Sequence, residues 1–241
     1  MSKKLIQAAA GAGGESVYVE DVFSTYLYEG NGSTQTITNG IDLAGEGGLV
    51  WTKPRDSVGG TFPFNDHILV DSERGNFFLK SNSTDANNSI ASFNFSETGY
   101  TVPNNLRVIQ SGIDYVSWTF RKQAGFFDVV TYTGDGSQPR AINHNLGSVP
   151  GFIIVKRTDT TGSWQCRHRS LASDGRMVLE TTGTEQNNAQ FFFGDGTNAV
   201  AATSTQFTVA DDAEVNASGS TYVAYLFAHD DQSFGDNSDE S

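Results

Sequence analysis

The chain of 241 residues has a single cysteine, Cys166, and only five prolines. One cysteine excludes an intrachain disulfide framework and a cysteine-rich zinc site. No apolar run approaches the roughly 20 residues that a membrane-spanning helix requires, so we expect no membrane partner. Residues 1–14 hold only a short apolar stretch that Gln7 interrupts, which argues against a secretory signal.

Basic side chains are also scarce. Lysine and arginine number 15 against 28 aspartates and glutamates, which gives a formal net charge of −13. The last basic residue is Arg176, and residues 177–241 carry 11 of the acidic side chains. Binding to nucleic acid depends on lysine and arginine neutralising phosphates, so this charge argues against a nucleic-acid partner.

Small polar and aromatic residues are abundant, with 26 Gly, 24 Ser, 23 Thr, 17 Asn and 17 Phe. This composition is typical of an all-β, turn-rich protein and is too aromatic for simple disorder. No long stretch keeps a helical apolar period, so we expect only short helical turns, one of them near the N-terminus. The short apolar runs that indicate strands are 48–52, 77–79, 91–95, 116–120, 126–132, 152–156, 176–180, 190–193, 206–209 and 222–227.

The chain repeats itself at an offset of 103 to 107 residues. The matching blocks are 28–33 with 132–137, 48–53 with 151–156, 100–102 with 207–209, and 115–120 with 222–227. Matching blocks in the same order predict an internal duplication. The predicted organisation is an N-terminal arm (1–22), β-sandwich module 1 (23–124), β-sandwich module 2 (125–231) and an acidic tail (232–241). The junction is too short for a flexible linker, so we expect the two modules to pack in a fixed relation.

Several segments resemble a known group of proteins. They are VFSTYLYEGNGSTQTITN (22–39), YVSWTFRK (115–122), GFFDVVTYTGDG (125–136), HNLGSVPGFIIVK (144–156) and YVAYLFAHD (222–230). From about Lys4 onward the chain resembles tail-fibre-like and other virion structural proteins of tailed bacteriophages, especially phages of marine cyanobacteria. Those proteins carry repeated concanavalin-A-like β-sandwich modules.

The resemblance implies a fold and a function. The expected fold is all-β, with two tandem β-sandwich modules of the jelly-roll or concanavalin-A-like type. The expected role is a non-enzymatic structural component of the virion, assembled in the host cytoplasm and associated with the tail or a tail fibre. Expected partners are other virion proteins, such as tail or adaptor subunits, and further copies of the chain in a homo-oligomer. The resemblance supplies no catalytic motif, cofactor or metal site.

Carbohydrate chemistry is the main alternative. Laminarinase-like glycosidases of this fold place three carboxylates along one strand as Glu-x-Asp-x-(x)-Glu, and no such motif is present. A lectin-like module that binds a host-surface glycan or receptor remains the second hypothesis. Trp51 and Trp118 lie in repeated strands where the second copy has other apolar residues, which favours core packing. Trp164 is therefore the candidate surface aromatic.

One concentration of basic residues interrupts the acidic chain. We predict a surface contact patch of Trp164, Lys156, Arg157, Arg167, Arg169 and Arg176. It could form an ion-paired interface, with another subunit or with the acidic segment, or it could be an ordinary solvated face. Nearby, Cys166 and His168 are two residues apart, so they could form a nucleophile–base pair. A buried structural cysteine beside a structural histidine is the favoured interpretation.

Overall fold

A computed structural model describes residues 5–6, 17–55, 66–104, 106 and 108–229. The acidic tail predicted at 232–241, and most of the arm predicted at 1–22, lie outside the described residues. Within the arm, β1 (Leu5–Ile6) pairs antiparallel with β2 (Val17–Tyr18), and the one-turn helix α1 (Val19–Val22) follows. The expected helical turn near the N-terminus is thereby confirmed. In the described part of the chain, no helix has the length and apolarity needed to cross a membrane.

The described residues of the N-terminal half form nine strands after α1. They are β3 (Phe23–Glu29), β4 (Gln35–Thr38), β5 (Gly48–Pro54), β6 (Ile68–Asp71), β7 (Phe77–Lys80), β8 (Asn88–Ser89), β9 (Asn94–Ser96), β10 (Gly99–Val102) and β11 (Asp114–Arg121). Six of them form an antiparallel sheet, the N-sheet, in the order β3-β11-β5-β6-β7-β8. The other three form a smaller sheet in the order β4-β10-β9, which covers one face of the N-sheet.

The C-terminal half follows the same plan. Its strands are β12 (Phe127–Thr133), β13 (Arg140–Asn143), β14 (Pro150–Arg157), β15 (Gln165–His168), β16 (Gly175–Val178), β17 (Gln186–Asn187), β18 (Gln206–Val209) and β19 (Thr221–Ala228). The antiparallel C-sheet has the order β12-β19-β14-β15-β16-β17, and the smaller sheet pairs β13 with β18. The protein is therefore all-β, built from several antiparallel sheets.

Each large sheet is buried on both faces. One face of the C-sheet packs on its own small sheet through Ile153 and Leu226. The opposite face, through Ile154 and Tyr225, shares an apolar core with Leu69 of the N-sheet. Burial on both faces explains why β14 and β19 are nearly continuous apolar runs rather than alternating ones.

We call this shared core the seam. Backbone hydrogen bonds also cross it, because Asn87 N–H donates to the carbonyl of Thr158 and Gly162 N–H donates to that of Thr84 (both 2.9 Å). Phe120 of β11 touches Phe127 and Phe227 with ring centroids 5.5 and 5.3 Å apart. The two halves thus form one packed body, which confirms the expectation of a fixed relation.

Most predicted strands are present, and one is wrong. The run 190–193 was expected to be a strand, but the chain forms a short 3-10 helix at Ala189–Phe191. The N–H groups of Phe192 and Phe193 both donate to the carbonyl of Ala189, and both side chains reach the core from this turn. A short apolar run has the same composition in either conformation, so periodicity could not separate them. Of the run 91–95, only its last two residues join a strand, β9.

Candidate functional site

The predicted surface aromatic, Trp164, is completely buried. It lies just before β15 and crosses the seam, where its indole Nε1–H donates to the carbonyls of Lys80 (3.1 Å) and Ser83 (2.9 Å). Its ring stacks on Tyr225, with centroids 6.4 Å apart. The prediction of surface exposure is wrong here, because a tryptophan that satisfies its N–H at a seam gains from burying its whole ring.

Lys156 is also fully buried, contrary to its predicted place in a surface patch. Its Nζ donates to the carbonyls of Arg157 (2.6 Å) and, across the seam, Thr84 (3.4 Å). The ammonium lies 5.9 Å from the centroid of the Trp164 ring. Burial lowers the pKa of Lys156 to about 8, although Glu214 and neighbouring carboxylates act in the opposite direction.

Arg176 is the third buried member of the predicted patch. Its Nη1 donates to Gln165 Oε1 (2.6 Å), its Nε donates to Asn188 Oδ1 (2.7 Å), and its guanidinium carbon lies 3.8 Å from the centre of the Phe192 ring. Burial lowers the pKa of Arg176. Arg176 therefore organises the C-terminal half internally.

Two further residues of the predicted patch stabilise nearby loops and side chains. Arg157 pairs with Asp159 (2.8 Å) and donates to Ser220 Oγ (2.7 Å). Arg167 donates to carbonyls of the loop that follows β15, at Ala172, Ser173 and Gly175. Arg169 is the remaining member, and it is exposed. The structure therefore does not bring the six residues together as one exposed patch.

A polar network in the seam was not anticipated from the sequence. The side chains of Asp71 and Arg74 are almost inaccessible and bond to each other, with Arg74 Nε 2.7 Å from Asp71 Oδ2. Arg74 also donates to Tyr225 (3.0 Å) and Asn87 (2.7 Å), and the Tyr225 hydroxyl donates to Asp71 (2.7 Å). Burial alone would lower the pKa of Arg74. The interactions with Asp71 and Tyr225 outweigh this effect, so the pKa of Arg74 is raised.

The network links the halves by directional bonds, because Asp71 ends β6 and Arg74 follows it, while Tyr225 belongs to β19. A second link is Lys122, whose Nζ lies 2.8 Å from Glu73 and 3.6 Å from Asp128. The only sequence signal was an aspartate at the end of an apolar run, and many surface turns share that signal.

A shallow groove of about 430 Å³ opens at one end of the seam; we call it the seam groove. Its walls carry hydroxyl groups from C-terminal strands together with an exposed phenylalanine and a carboxylate from the N-terminal half. Its principal side chains are Glu73, Phe77, Asn87, Thr131, Thr133 and Thr221. An apolar ring beside several hydroxyl and amide groups can contact a polyhydroxylated ligand.

Each half also has a pocket between its large and small sheets, at equivalent places beside Gly47 and Pro150. The N-terminal pocket is an open depression of about 440 Å³ whose charged side chains are Glu46 and Glu73. The C-terminal cleft is narrower, about 220 Å³, and its charged side chains are Arg167 and Arg169. The two equivalent pockets therefore have opposite charge.

The tryptophans expected in the core, Trp51 and Trp118, are half-buried on the N-sheet and meet edge to face at 6.3 Å. Cys166 is buried, and burial raises the pKa of its thiol to about 12. Such a thiol is protonated at neutral pH, which favours its interpretation as a small core residue. The Nδ1 of His168 accepts a hydrogen bond from the N–H of Ser170 (3.1 Å).

These features define an all-β protein with two similarly ordered halves joined by a mixed apolar and polar seam. Among the described residues, no group of three or more His, Cys, Asp or Glu side chains could hold a metal ion. The chain belongs to a family described as a domain of unknown function, DUF7483, whose family model matches residues 19–235. Neither the curated proteins nor the solved structures contain a match.

Proposed function

We propose that the protein is a non-enzymatic structural component of a tailed-phage virion, associated with the tail or a tail fibre. The resemblance of several segments to such virion proteins supports the proposal. Its function would be assembly with other virion proteins and with further copies of itself. The localisation that follows is the virion, after assembly in the host cytoplasm.

The proposal includes a finer account of the fold, in which the halves are tandem concanavalin-A-like modules from one duplication. Strand order supports it, since the six strands of each large sheet occur in the same relative order. A stacked tyrosine pair supports it as well. The ring centroids of Tyr28 and Tyr115 lie 5.3 Å apart in the N-terminal half. Those of Tyr132 and Tyr222 lie 5.1 Å apart in the C-terminal half.

The partners of these tyrosines extend the correspondence. The hydroxyl of Tyr28 donates to the carbonyl of Val108 (2.7 Å), and the hydroxyl of Tyr132 donates to that of Val215 (2.8 Å). Equivalent residues thus make equivalent bonds about 104 to 107 positions apart, a relation that duplication accounts for directly.

The main support for the assembly proposal is the outer edge of the N-sheet. Strand β3 pairs with β11, and no other strand of the described residues pairs with its outer edge. Its seven residues contain neither lysine nor proline, and Leu27 is 55 % exposed. Sheet edges without such protective residues are templates for pairing with another chain. A second copy could add its own strand there and form a symmetric contact.

Sedimentation of the purified chain tests this contact. We expect the chain to form an oligomer as its concentration rises. Leu27→Lys should raise the dissociation constant of this oligomer at least tenfold, without lowering the melting temperature. Thr182→Lys is the control, because Thr182 is exposed and lies in a loop rather than on a sheet edge. A wild-type chain that stays monomeric at high concentration would contradict the assembly proposal.

Position in the particle tests the virion proposal itself. Antibodies against the purified chain should label intact particles of the encoding phage, at the tail or its fibres, in electron micrographs. Labelling of the capsid alone would contradict the assignment to the tail or its fibres. Particles that carry none of the chain would refute the proposal.

A glycan-binding or receptor-binding role in host attachment is the second candidate, and the seam groove favours it. Phe77 offers a ring that is 41 % exposed beside Thr133 and Thr221. A glycan array, with and without calcium, should then give hits that Phe77→Ala removes. Phe191→Ala is the control, because Phe191 is 48 % exposed and does not line the groove. An array without hits would exclude this role, and glucan hydrolysis by the pure chain would contradict both proposals.

A further inference from the structure

The C-terminal cleft combines an apolar interior with exposed apolar walls. Its floor is formed by the buried side chains of Ile153, Phe193 and Phe207. At the rim, Val149 is 51 % exposed and Val200 is 38 % exposed. At about 220 Å³ the cleft is smaller than the 300–1,000 Å³ typical of sites for drug-sized ligands. Its size and lining therefore suit a single large apolar side chain.

The charge at the rim restricts which segment could supply that side chain. Arg169 is exposed there, and no described carboxylate lies within salt-bridge distance of its guanidinium. Arg167 is occupied by loop carbonyls, so Arg169 is the cationic group available to a ligand. The equivalent N-terminal pocket carries Glu46 and Glu73 instead, which means that the basic rim is not a general feature of the fold.

We propose that the C-terminal cleft binds the segment 230–241 of the same chain, with the side chain of Phe234 in the cleft. This segment lies outside the described residues, and its sequence is DDQSFGDNSDES. It has five acidic residues, no basic residue, and Phe234 as its only aromatic or large apolar side chain. An aromatic anchor flanked by carboxylates complements an apolar cleft with an arginine at its rim.

The path of the chain favours the same molecule as the source of the segment. Strand β19 ends at Ala228, whose register partner is Pro150 in the wall of the cleft. A Cβ atom built on Gly151, also in that wall, would lie 3.1 Å from the Cα of His229. From His229, the five residues to Phe234 can extend about 17 Å. A tether this short gives an effective concentration in the millimolar range, which exceeds that of a second copy in dilute solution.

Paramagnetic relaxation in the full-length chain tests the proposal. A nitroxide is attached to the cysteine introduced by Ser238→Cys, while Cys166 stays unlabelled because it is buried. We expect strong broadening of the amide signals of Val200 and Thr208 at the cleft. The signal of Thr36, in the distant small sheet of the N-terminal half, should not change. Phe234→Ala and Arg169→Glu should each reduce the broadening at least threefold.

Two further samples separate the possible outcomes. Arg55→Glu is the matched control, since it reverses an exposed arginine of the N-terminal half and should leave the broadening unchanged. A mixture of spin-labelled chain with isotope-labelled, unmodified chain reports only contacts between molecules. Broadening of comparable strength in that mixture would assign the cleft to a second copy and overturn the proposal. Absence of broadening at Val200, or broadening that persists in Phe234→Ala, would overturn it as well.

Discussion

The N-terminal and C-terminal halves have similar interiors but differ in the residues that they bring to the seam. Inside, both have a stacked tyrosine pair with equivalent hydrogen bonds. At the seam, the side chains of Trp164 and Lys156 from the C-terminal half donate hydrogen bonds. Backbone carbonyls around Ser83 in the N-terminal half accept them. In the repeat Lys156 corresponds to Lys53, which is only partly buried, so even a matching residue has a different environment in the two halves.

This difference separates two requirements on the sequence. A sandwich interior requires apolar side chains of suitable volume, which many sequences can supply. A seam with buried polar groups requires each donor to meet its own acceptor, because an unmatched buried group costs free energy. We therefore expect single changes at the seam to have larger effects than equivalent changes inside either half.

The largest loss in the free energy of unfolding is expected when the carboxylate of the buried ion pair in the seam is removed. Asp71→Ala leaves the Arg74 guanidinium buried without its main partner, which typically costs about 3–5 kcal/mol. Urea unfolding monitored by tryptophan fluorescence measures the loss. Tyr225→Phe removes one bond from each charged partner and should cost about 1–3 kcal/mol, so it remains informative if Asp71→Ala does not fold.

The control for this change is an ion pair on the surface. Arg55 and Asp114 lie 3.9 Å apart, and about half of each side chain is exposed. Arg55→Ala should therefore cost less than about 1 kcal/mol. Equal losses for Arg55→Ala and Asp71→Ala would contradict the special role that we give to the seam.

The sequence predicted the all-β class, most strands and the packing of the halves, because these follow from local patterns and repeats. It could not predict which residues face the seam. Lys156 and Arg176 were expected at the surface since basic residues are usually exposed. Trp164 was expected there since it lies outside the repeated strands that favoured core packing for Trp51 and Trp118. In all three cases the partners, such as the carbonyl of Ser83 and the side-chain amide of Gln165, are uncharged groups that leave no charge pattern in the sequence.

The next largest effect concerns Lys156 and its dependence on pH. Burial lowers its pKa from 10.5 to about 8, so between these values the unfolded state binds more protons than the folded state. The free energy of unfolding should therefore rise with pH from about pH 8, by at most about 1.4 kcal/mol per unit. Below pH 8 the full penalty for burying the charge remains.

Lys156→Met removes this charge while keeping most of the volume. We expect the variant to be more stable than the wild type by about 2 kcal/mol at pH 7, and the difference to shrink towards pH 9. Charged neighbours, namely Arg74, Asp85, Glu180 and Glu214, are present in both proteins, so the difference reports Lys156. A difference that stays constant between pH 7 and pH 9 would show that the lysine does not titrate in this range.

The smallest effect tests the agreement between the halves. Tyr28→Phe and Tyr132→Phe each remove one hydroxyl that donates to a carbonyl, of Val108 or of Val215, and leave the ring stacking in place. Since the two bonds are equivalent, both variants should lose about 1 kcal/mol in urea unfolding, with unchanged m-values. Losses that differ by more than about 1 kcal/mol would mean that the interiors are not equivalent. In that case the contrast between a shared interior and a specialised seam would fail.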